Sequence, residues 1–491
     1  MKLSEVLEGV PNIVFEGPWD VDISGITHDS RKIQNGYAFV AVQGEKIDGN
    51  TFIEKALQDG AKAVLSSRKK PDLFPKAWIQ VSDDREALSL CSANFFGHPS
   101  KELKIIGITG TKGKTTVSYI LEEILKKANF IPGVIGTISY RGPNINRLAE
   151  RTTPEASDLQ KMLRQMVDGG ATHCIMEVSS HALELKRVTG IEFDVAVFTN
   201  LSGEHMDYHR SMDSYFEAKK KLFQPGQNNR IAVINTDDDW GKKLISDISM
   251  EFISFGLHSS AMVSAEKFEF NTHGTKLTAK FPSGQMPVSS HLLGKPNVYN
   301  TLSSLAASLA LDIPTDAMRK GIAALRVVPG RFERIQNSIG IHIYVDYAHT
   351  DDALKNLLET AQGLARKRII LVFGAGGDRD KTKRPRMGAI AGKLADLTIL
   401  TSDNPRTESP SDIISDIEQG IRTTGPSKYL IQPNRKEAIK KAFSLAGKDD
   451  MILVAGKGHE NYQILGDKII PFSDKDVIHD ILEGKGGRDL G

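Results

Sequence analysis

Apolar residues along this chain fall into two rhythms. Short unbroken runs recur: Tyr37-Ala-Phe-Val-Ala-Val42, Ala63-Val-Leu65, Trp78-Ile-Gln-Val81, Cys174-Ile-Met-Glu-Val178, Val195-Ala-Val-Phe198 and Ile231-Ala-Val-Ile234. Later ones are Ile341 to Val345, Arg368 to Phe373, Leu397 to Leu400 and Met451 to Ala455. Runs of this length read as buried strands, and the stretches between them carry helical spacing. Helices are predicted at Phe52–Leu57, Val117–Lys127, Asp213–Phe223 and Asn297–Leu311. Strand alternating with helix is the pattern of parallel sheets covered by helices. Residues 252–292 differ: Lys276-Leu-Thr-Ala-Lys-Phe281 alternates with period two, which predicts an antiparallel hairpin insertion.

Glycine and proline punctuate the rhythm at Gly97-His-Pro-Ser100 and at Val328-Pro-Gly330. They divide the chain into a small α/β domain over 1–99, a central parallel-sheet domain over 100–328 and a doubly wound, Rossmann-like domain over 329–491. The 491 residues suit about two to four domains. No internal repeat or low-complexity tract interrupts them.

Composition narrows the setting. Apolar residues make up 40% and charged residues 25%, which is ordinary for a globular protein. A net charge of +2 leaves no basic footprint for nucleic acid. Two cysteines, Cys91 and Cys174, suggest neither a disulfide framework nor a cysteine zinc site. No apolar run is long enough to span a membrane, and Met1-Lys-Leu-Ser-Glu-Val-Leu-Glu8 lacks the core of a signal peptide. The expected setting is reducing and cytoplasmic.

The richest chemistry lies in Gly107-Ile-Thr-Gly-Thr-Lys-Gly-Lys-Thr-Thr116. A strand leads into a glycine turn, and a helix follows, which is the layout of a phosphate-binding loop. Backbone N–H groups of Gly110, Thr111 and Gly113, and the helix N-terminus at Thr116, would face phosphate oxygens. Lys114 can reach the outer phosphates and Thr115 can ligate Mg²⁺. The strict form of the motif needs glycine where Ile108 stands, so the loop is the shorter GTxGKTT form of one ATPase superfamily. The loop predicts a nucleoside triphosphate substrate.

Other polar clusters follow strand ends. Glu177 closes an apolar run and is placed to hold Mg²⁺. His205 and Asp207, in Asn200-Leu-Ser-Gly-Glu-His-Met-Asp-Tyr-His209, read equally as metal ligands and as an exposed polar loop. Lys219, Lys220 and Lys221 cannot share one helical face, because each residue turns about 100°, so at least one can point toward a site. Arg331, the Asp346-Tyr-Ala-His349 run, Gly374 to Lys381 and Lys383-Arg-Pro385 lie after strands in the last domain, where ligands of doubly wound sheets sit. So do Ser402-Asp-Asn-Pro405 and Gly456-Lys-Gly458.

In number and order, these motifs resemble the Mur ligases of peptidoglycan synthesis, especially members adding the third amino acid of the peptide. The resemblance spans essentially the whole chain. It rests on Asp29-Ser-Arg31, the Gly110–Thr116 loop, Thr152-Thr-Pro154, Glu177-Val-Ser-Ser-His181 and His205-Met-Asp-Tyr-His209. It continues through Gly294-Lys-Pro-Asn297, Gly330-Arg-Phe332, Asp346 to His349, Asp403-Asn-Pro-Arg406 and Gly456-Lys-Gly-His-Glu460. It implies a UDP-binding first domain, an ATP-binding P-loop domain and an amino-acid-binding third domain. The implied reaction forms an acyl phosphate with ATP and Mg²⁺, which an amine then attacks.

The resemblance also implies site residues. Lys114 would meet the β/γ-phosphates, Thr115 and Glu177 one Mg²⁺, and His205 a second. Lys219, in Tyr215-Phe-Glu-Ala-Lys219, matches a carbamoylated lysine that becomes an anionic ligand. Asn297, Arg331 and Asp346 match contacts to the adenine or ribose of ATP. Ser30 and the Gly44–Ile47 loop match the uridine region, although Glu45, Lys46 and Ile47 depart from the His-Gln-Ala form. Thr152, Thr153, Ser179 and Arg187 match contacts to the muramoyl dipeptide, and Leu185 stands where some members carry glutamine. Asp403, Asn404, Arg406, Arg384, Gly456 and Glu460 match a pocket for meso-diaminopimelate, whose distal carboxylate Arg406 can meet bidentately. The implied partners are therefore UDP-MurNAc-L-Ala-D-Glu and meso-diaminopimelate, with the chain acting as a monomer and serving cell shape and division. The alternatives are the same reaction with L-lysine, or another Mur or folylpolyglutamate-type ligase.

Overall fold

The computed structural model describes every residue except 45–46, 225–230, 259, 427 and 485–491. Glu45 and Lys46 of the expected uridine loop therefore lie outside the described residues. The chain forms two compact units. One comprises Met1–Leu201, Phe216–Phe255 and Ser303–Gly321, and the other Ser202–Tyr215, Gly256–Leu302 and Ile322–Gly491.

The first unit holds two sheets. Its N-terminal sheet contains β1 (Val14–Glu16), β2 (Gly25–Thr27), β3 (Tyr37–Val40), β4 (Ala63–Ser66) and β5 (Ala77–Gln80), in the order β1-β5-β4-β3-β2. All neighbours pair parallel except β1, which runs antiparallel beside β5. Helix Asp84–Phe95 packs across it, started by the Asp83 carboxylate accepting from Arg85 and Glu86 N–H. That N-cap satisfies two donors a helix start otherwise leaves open.

The larger sheet contains β6 (Lys104–Thr109), β7 (Pro132–Ile135), β8 (Ser139–Gly142), β9 (Ile145–Leu148), β10 (His173–Glu177), β11 (Val195–Phe198), β12 (Ile231–Asn235) and β13 (Phe252–Gly256). Their order is β13-β12-β11-β6-β10-β7-β8-β9, parallel except for β8 and β9. Buried from Ile105 to Thr109, β6 lies centrally, and helix Lys114–Lys127 covers β6, β7 and β10. Gly107 is needed there: a Cβ would lie 2.6 Å from the Phe193 ring.

In the second unit, β14 (Val263–Asn271), β15 (Gly274–Phe281) and β16 (Gly284–Ser290) form an antiparallel meander. The insertion expected over 252–292 is therefore shorter at its start and one strand richer. Phe252–Phe255 pairs parallel with β12, because that segment is buried from Ile253 onward and has no alternation. The third sheet contains β17 (Glu333–Ile335), β18 (His342–Asp346), β19 (Ile369–Phe373), β20 (Leu397–Leu400), β21 (Tyr429–Ile431) and β22 (Met451–Ala455), in the order β17-β18-β22-β19-β20-β21. Only β17 is antiparallel.

Its two faces bury different residues. Leu371, Phe373 and Leu453 join one apolar cluster with helices Asp351–Gln362, Lys383–Leu394 and Pro410–Arg422. Ile370, Val372, Ile452 and Val454 join another with helices Arg435–Leu445 and Asp474–Leu482. Alternate residues facing opposite helical layers is the doubly wound arrangement. A hairpin of β23 (Tyr462–Leu465) and β24 (Lys468–Pro471) follows. Among the described residues no helix is long and apolar enough to cross a membrane.

Candidate active site

In the first unit the site is built at the carboxyl ends of β6, β10 and β11. Gly110 (φ +140°) and Gly113 (φ +90°) bend the loop before helix Lys114–Lys127, whose N-cap residue is Gly113 itself. A Cβ on Gly110 would lie 2.0 Å from Thr199 Oγ1, so only glycine lets the loop sit against β11. Asn200 fixes it further: its Oδ1 accepts from Lys112 N at 3.0 Å and its Nδ2 donates to Lys112 O at 3.1 Å. Thr111, Thr115 and Thr116 are buried in the same turn.

Two ammonium groups converge on one carbonyl. Lys114 Nζ donates to Gly110 O at 2.8 Å and Thr111 O at 3.0 Å, and Lys219 Nζ donates to Gly110 O at 2.9 Å. Lys219 is 1% exposed, whereas Lys220 pairs with Glu217 and Asp247, and Lys221 with Glu184. The one lysine turned inward is thus the one the family resemblance singles out.

Glu177 ends β10, buried, with Oε2 accepting from Thr115 Oγ1 at 2.9 Å and Thr137 Oγ1 at 2.8 Å. Its Oε1 accepts from Thr137 N at 3.0 Å, and Thr137 Oγ1 lies 3.1 Å from Thr152 Oγ1. Thr153 Oγ1 donates to Glu177 O at 2.8 Å and accepts from Ser179 N at 3.1 Å. Arg187 donates to Thr153 O at 3.1 Å and pairs with Glu155 at 2.6 Å, and burial lowers its pKa. The phosphate loop, Glu177 and the four expected dipeptide residues therefore form one connected, largely buried polar network. Hydroxyl and carboxylate oxygens form a hard donor set that suits Mg²⁺, which takes one or two carboxylates and keeps phosphate and water ligands. Among the described residues no group of three or more His, Cys, Asp or Glu is arranged so that it could hold a metal ion.

Ser30 opens a single turn, Ser30–Lys32, at the end of β2. Asp29 caps this turn, and its carboxyl is pulled down to about 2 by hydrogen bonds from Arg31.

The second unit carries the other expected residues. His205 adopts φ +60° and lies beside Glu204, whose Oε1 is 3.2 Å from His349 Nε2. Asp346 ends β18, accepting from Phe332 N at 2.6 Å and Ala348 N at 2.7 Å, while burial raises its pKa. The Arg331 guanidinium stacks 4.6 Å above the Tyr347 ring. Asn297 anchors its helix start through Leu293 O at 2.7 Å.

At the ends of β19, β20 and β22, three loops meet. Asp403 and Asn404 are buried, and Gly456 (φ +115°) passes so close that a Cβ would lie 2.4 Å from Asp403 Oδ2. Glu460 Oε2 accepts from Asn404 Nδ2 and Lys457 Nζ, each at 2.9 Å. Arg406 Nη1 donates to Gly377 O at 2.7 Å and Asn404 O at 3.5 Å. Among the described residues no carboxylate lies within ion-pair distance of this guanidinium. Arg384, by contrast, is fully buried between Glu408 and Asp416, and holds the Glu408 carboxyl down at about 2. Lys383 donates to His349 O at 2.8 Å, with its pKa lowered by burial.

Sequence reasoning passed over Thr137, Thr199 and Lys457. Thr137 comes two residues after β7 and Thr199 directly after β11, so the strand-end position that singled out Glu177 would also have found them. Lys457 sat inside a noted motif from which only Gly456 and Glu460 were assigned roles.

A phosphate loop on one parallel sheet, carried with a second doubly wound sheet whose strand ends gather charged loops, defines a nucleotide-dependent P-loop enzyme. The Mur ligase family's catalytic domain matches residues 22–95, its middle domain 108–308 and its glutamate ligase domain 330–458. The chain belongs to the Mur ligase family, and is an ATP-dependent, amide-bond-forming ligase. A UDP-N-acetylmuramoyl-L-alanyl-D-glutamate–2,6-diaminopimelate ligase of Clostridium perfringens is 42% identical over 99% of this chain and 100% of its own length. The solved structure of a ligase of that same name superposes with a TM-score of 0.71 at 32% identity, covering 99% of each chain. A Thermotoga maritima MurF ligase bound to ADP shares the fold, with a TM-score of 0.65 at 20% identity over 88% of this chain and 93% of its own.

Proposed function

We propose that this chain joins meso-diaminopimelate to the D-glutamyl carboxylate of UDP-MurNAc-L-Ala-D-Glu, forming ADP and phosphate, in cytoplasmic peptidoglycan precursor synthesis. The observation that carries the choice of amino acid is Arg406. Among the described residues its guanidinium hydrogen-bonds only to carbonyl oxygens, beside a wall containing Asp403 and Glu460. Such a site pairs a cation with a distal carboxylate and an anion with a distal ammonium. L-Lysine lacks that carboxylate and would leave the arginine unmatched, which is costly in a partly buried site.

The chemistry follows from charge. A carboxylate is a poor electrophile, and transfer of the γ-phosphoryl group converts one of its oxygens into a leaving group. The deprotonated amine then attacks the acyl carbon, and the tetrahedral intermediate collapses with release of phosphate. The protein's part is positioning and charge neutralisation. Gly110, Gly113 and Thr116 cradle the phosphates through backbone N–H groups, and Thr111 shapes the loop, its own N–H donating to Asn200 O at 2.9 Å. Lys114 swings from its loop carbonyls to the β/γ-oxygens. Thr115 and Glu177 would hold one Mg²⁺ and His205 a second, with carbamoylated Lys219 as an anionic ligand, and the ions would supply neutralisation of the transferring phosphoryl charge.

Asn297, Arg331 and Asp346 bind the nucleoside of ATP. Ser30 reads the UDP group, and Thr152, Thr153, Ser179 and Arg187 the muramoyl dipeptide. Asp403, Asn404, Arg406, Gly456 and Glu460 receive diaminopimelate, with Arg384 bracing the pocket through Glu408. The UDP, ATP and amino-acid roles fall mainly to 1–99, 100–328 and 329–491 of a monomer, with Arg331 and Asp346 of the third region serving the nucleoside of ATP.

The test is phosphate release with ATP, Mg²⁺ and UDP-MurNAc-L-Ala-D-Glu, comparing meso-diaminopimelate with L-lysine. Turnover confined to diaminopimelate is expected. Equal turnover with lysine would overturn the role of Arg406, and no turnover with either would move the assignment to another substrate.

A further inference from the structure

Lys457 is 0% exposed, although a lysine ammonium is among the groups least often buried. Its neighbours explain how the chain holds it there. Gly456 (φ +115°) and Gly458 (φ +55°) both adopt backbone conformations that side-chain-bearing residues avoid. A Cβ on Gly458 would lie 2.8 Å from Tyr347. The two glycines turn the backbone so that the intervening lysine enters the protein.

The ammonium has three N–H donors, and three groups surround it. Glu460 Oε2 lies at 2.9 Å, Asn404 Oδ1 at 3.1 Å and Asp403 Oδ1 at 3.9 Å. The Tyr462 ring lies 5.4 Å away. Asn404 is tied in turn: its Oδ1 also accepts from Ile464 N at 3.1 Å and its Nδ2 donates to Glu460 at 2.9 Å. Lys457 therefore has little capacity left for a ligand. It joins two carboxylates and an amide from separate loops.

We infer that Lys457 is a positioning residue for the incoming amino acid, its ammonium locking Glu460 and Asn404 into a fixed acceptor wall for the distal amine. The inference rests on the reading of Asp403–Glu460 as the amino-acid pocket. A buried carboxylate and a partly buried one on separate loops repel each other without a cation between them. With Lys457 in place one Glu460 oxygen is committed to the lock, and the other stays directed by it.

The experiment measures KM for diaminopimelate, ATP and UDP-MurNAc-L-Ala-D-Glu in wild type, Lys457→Met, Glu460→Gln and the double variant. A lost charge-assisted hydrogen bond corresponds to roughly a ten- to hundredfold change. KM for diaminopimelate should rise by about that factor in Lys457→Met, with the other two KM values within about twofold. In the Glu460→Gln background the same substitution should add little, because the group it acts through is already gone. Equal increases in all three KM values, or independent, multiplicative effects in the double variant, would overturn the inference. If Lys457→Met does not fold, the double variant, with one carboxylate fewer beside the missing ammonium, decides alone. A diaminopimelate KM matching that of Glu460→Gln supports the lock, and one about tenfold higher refutes it. A wild type inactive with diaminopimelate refutes the substrate reading instead, and is seen before any variant is compared.

Discussion

Asp474 and Arg435 form an ion pair with both side chains 0% exposed, and its disruption should have a large, calculable effect. Arg435 Nε and Nη2 donate to the two Asp474 oxygens at 2.7 and 2.8 Å. Nη2 also donates to Ala455 O at 2.9 Å, and Nη1 to Ser402 O at 3.4 Å. Those carbonyls immediately precede Gly456 and Asp403, at the ends of two strands flanking β19. Asp474→Asn keeps the volume but leaves a buried guanidinium without its counter-charge. Breaking a buried pair this way costs about 3–5 kcal/mol, and the remaining amide acceptor places this change near about 3. For a folding region of roughly this size each kcal/mol moves the midpoint by about 2–4 °C, so the thermal unfolding midpoint should fall by roughly 6–12 °C. Calorimetry measures it. Arg435→Met with Asp474→Leu removes both charges and should recover most of the loss. A single variant unfolding within about 2 °C of wild type would refute the argument that the pair is buried and uncompensated once broken.

Other outcomes follow from the same structure. Lys219→Ala should abolish phosphate release, with a short-chain carboxylic acid restoring part of it, and full activity in the unrescued variant would remove the carbamate role. Gly110→Ala forces a methyl group into Thr199 Oγ1 and should destabilise the loop by about 1–3 kcal/mol, read as weakened ADP binding and a lower unfolding midpoint. Arg406→Met should depress kcat/KM for diaminopimelate at least about tenfold while leaving the KM for ATP nearly unchanged, and parallel losses in both would argue for a structural role. Stability should fall on acidification. Hydrogen bonding to Arg384 holds Glu408 near 2 against an ordinary 4.5, so its contribution is complete above about 4.5 and lost toward 2. Burial holds His459 near 3 against 6.5, so its contribution is lost between about 6.5 and 3. A midpoint that rises as pH drops from 6.5 would contradict both signs.

Much of the site was legible because its chemistry is local. A phosphate loop needs glycine, lysine and threonine within one turn, so Gly110 to Thr116 is visible without any fold. Buried strands leave apolar runs, so Val195–Phe198, Leu397–Leu400 and Met451–Ala455 were found at their observed bounds. Segments with weak patterns were missed. The β8–β9 hairpin carries Arg141, Asn146 and Arg147 on exposed or half-buried faces, so no apolar signal marks it. The 252–256 strand was assigned to the insertion because it runs directly into the alternating residues that follow, although it pairs parallel with the preceding strand β12.

The sequence by itself determined the elements, the phosphate loop and the family, because each is written in residues close together along the chain. Only the tertiary structure decided which lysine of Lys219-Lys-Lys221 is buried, and that Arg384 is neutralised while Arg406 donates to the carbonyls of Gly377 and Asn404. Only there, too, does Lys457 join Asp403, Asn404 and Glu460. The physical reason is that a charge acquires its role from its desolvation and its partners. Both are set by loops that converge in space from opposite ends of a domain, and no local spacing records that convergence.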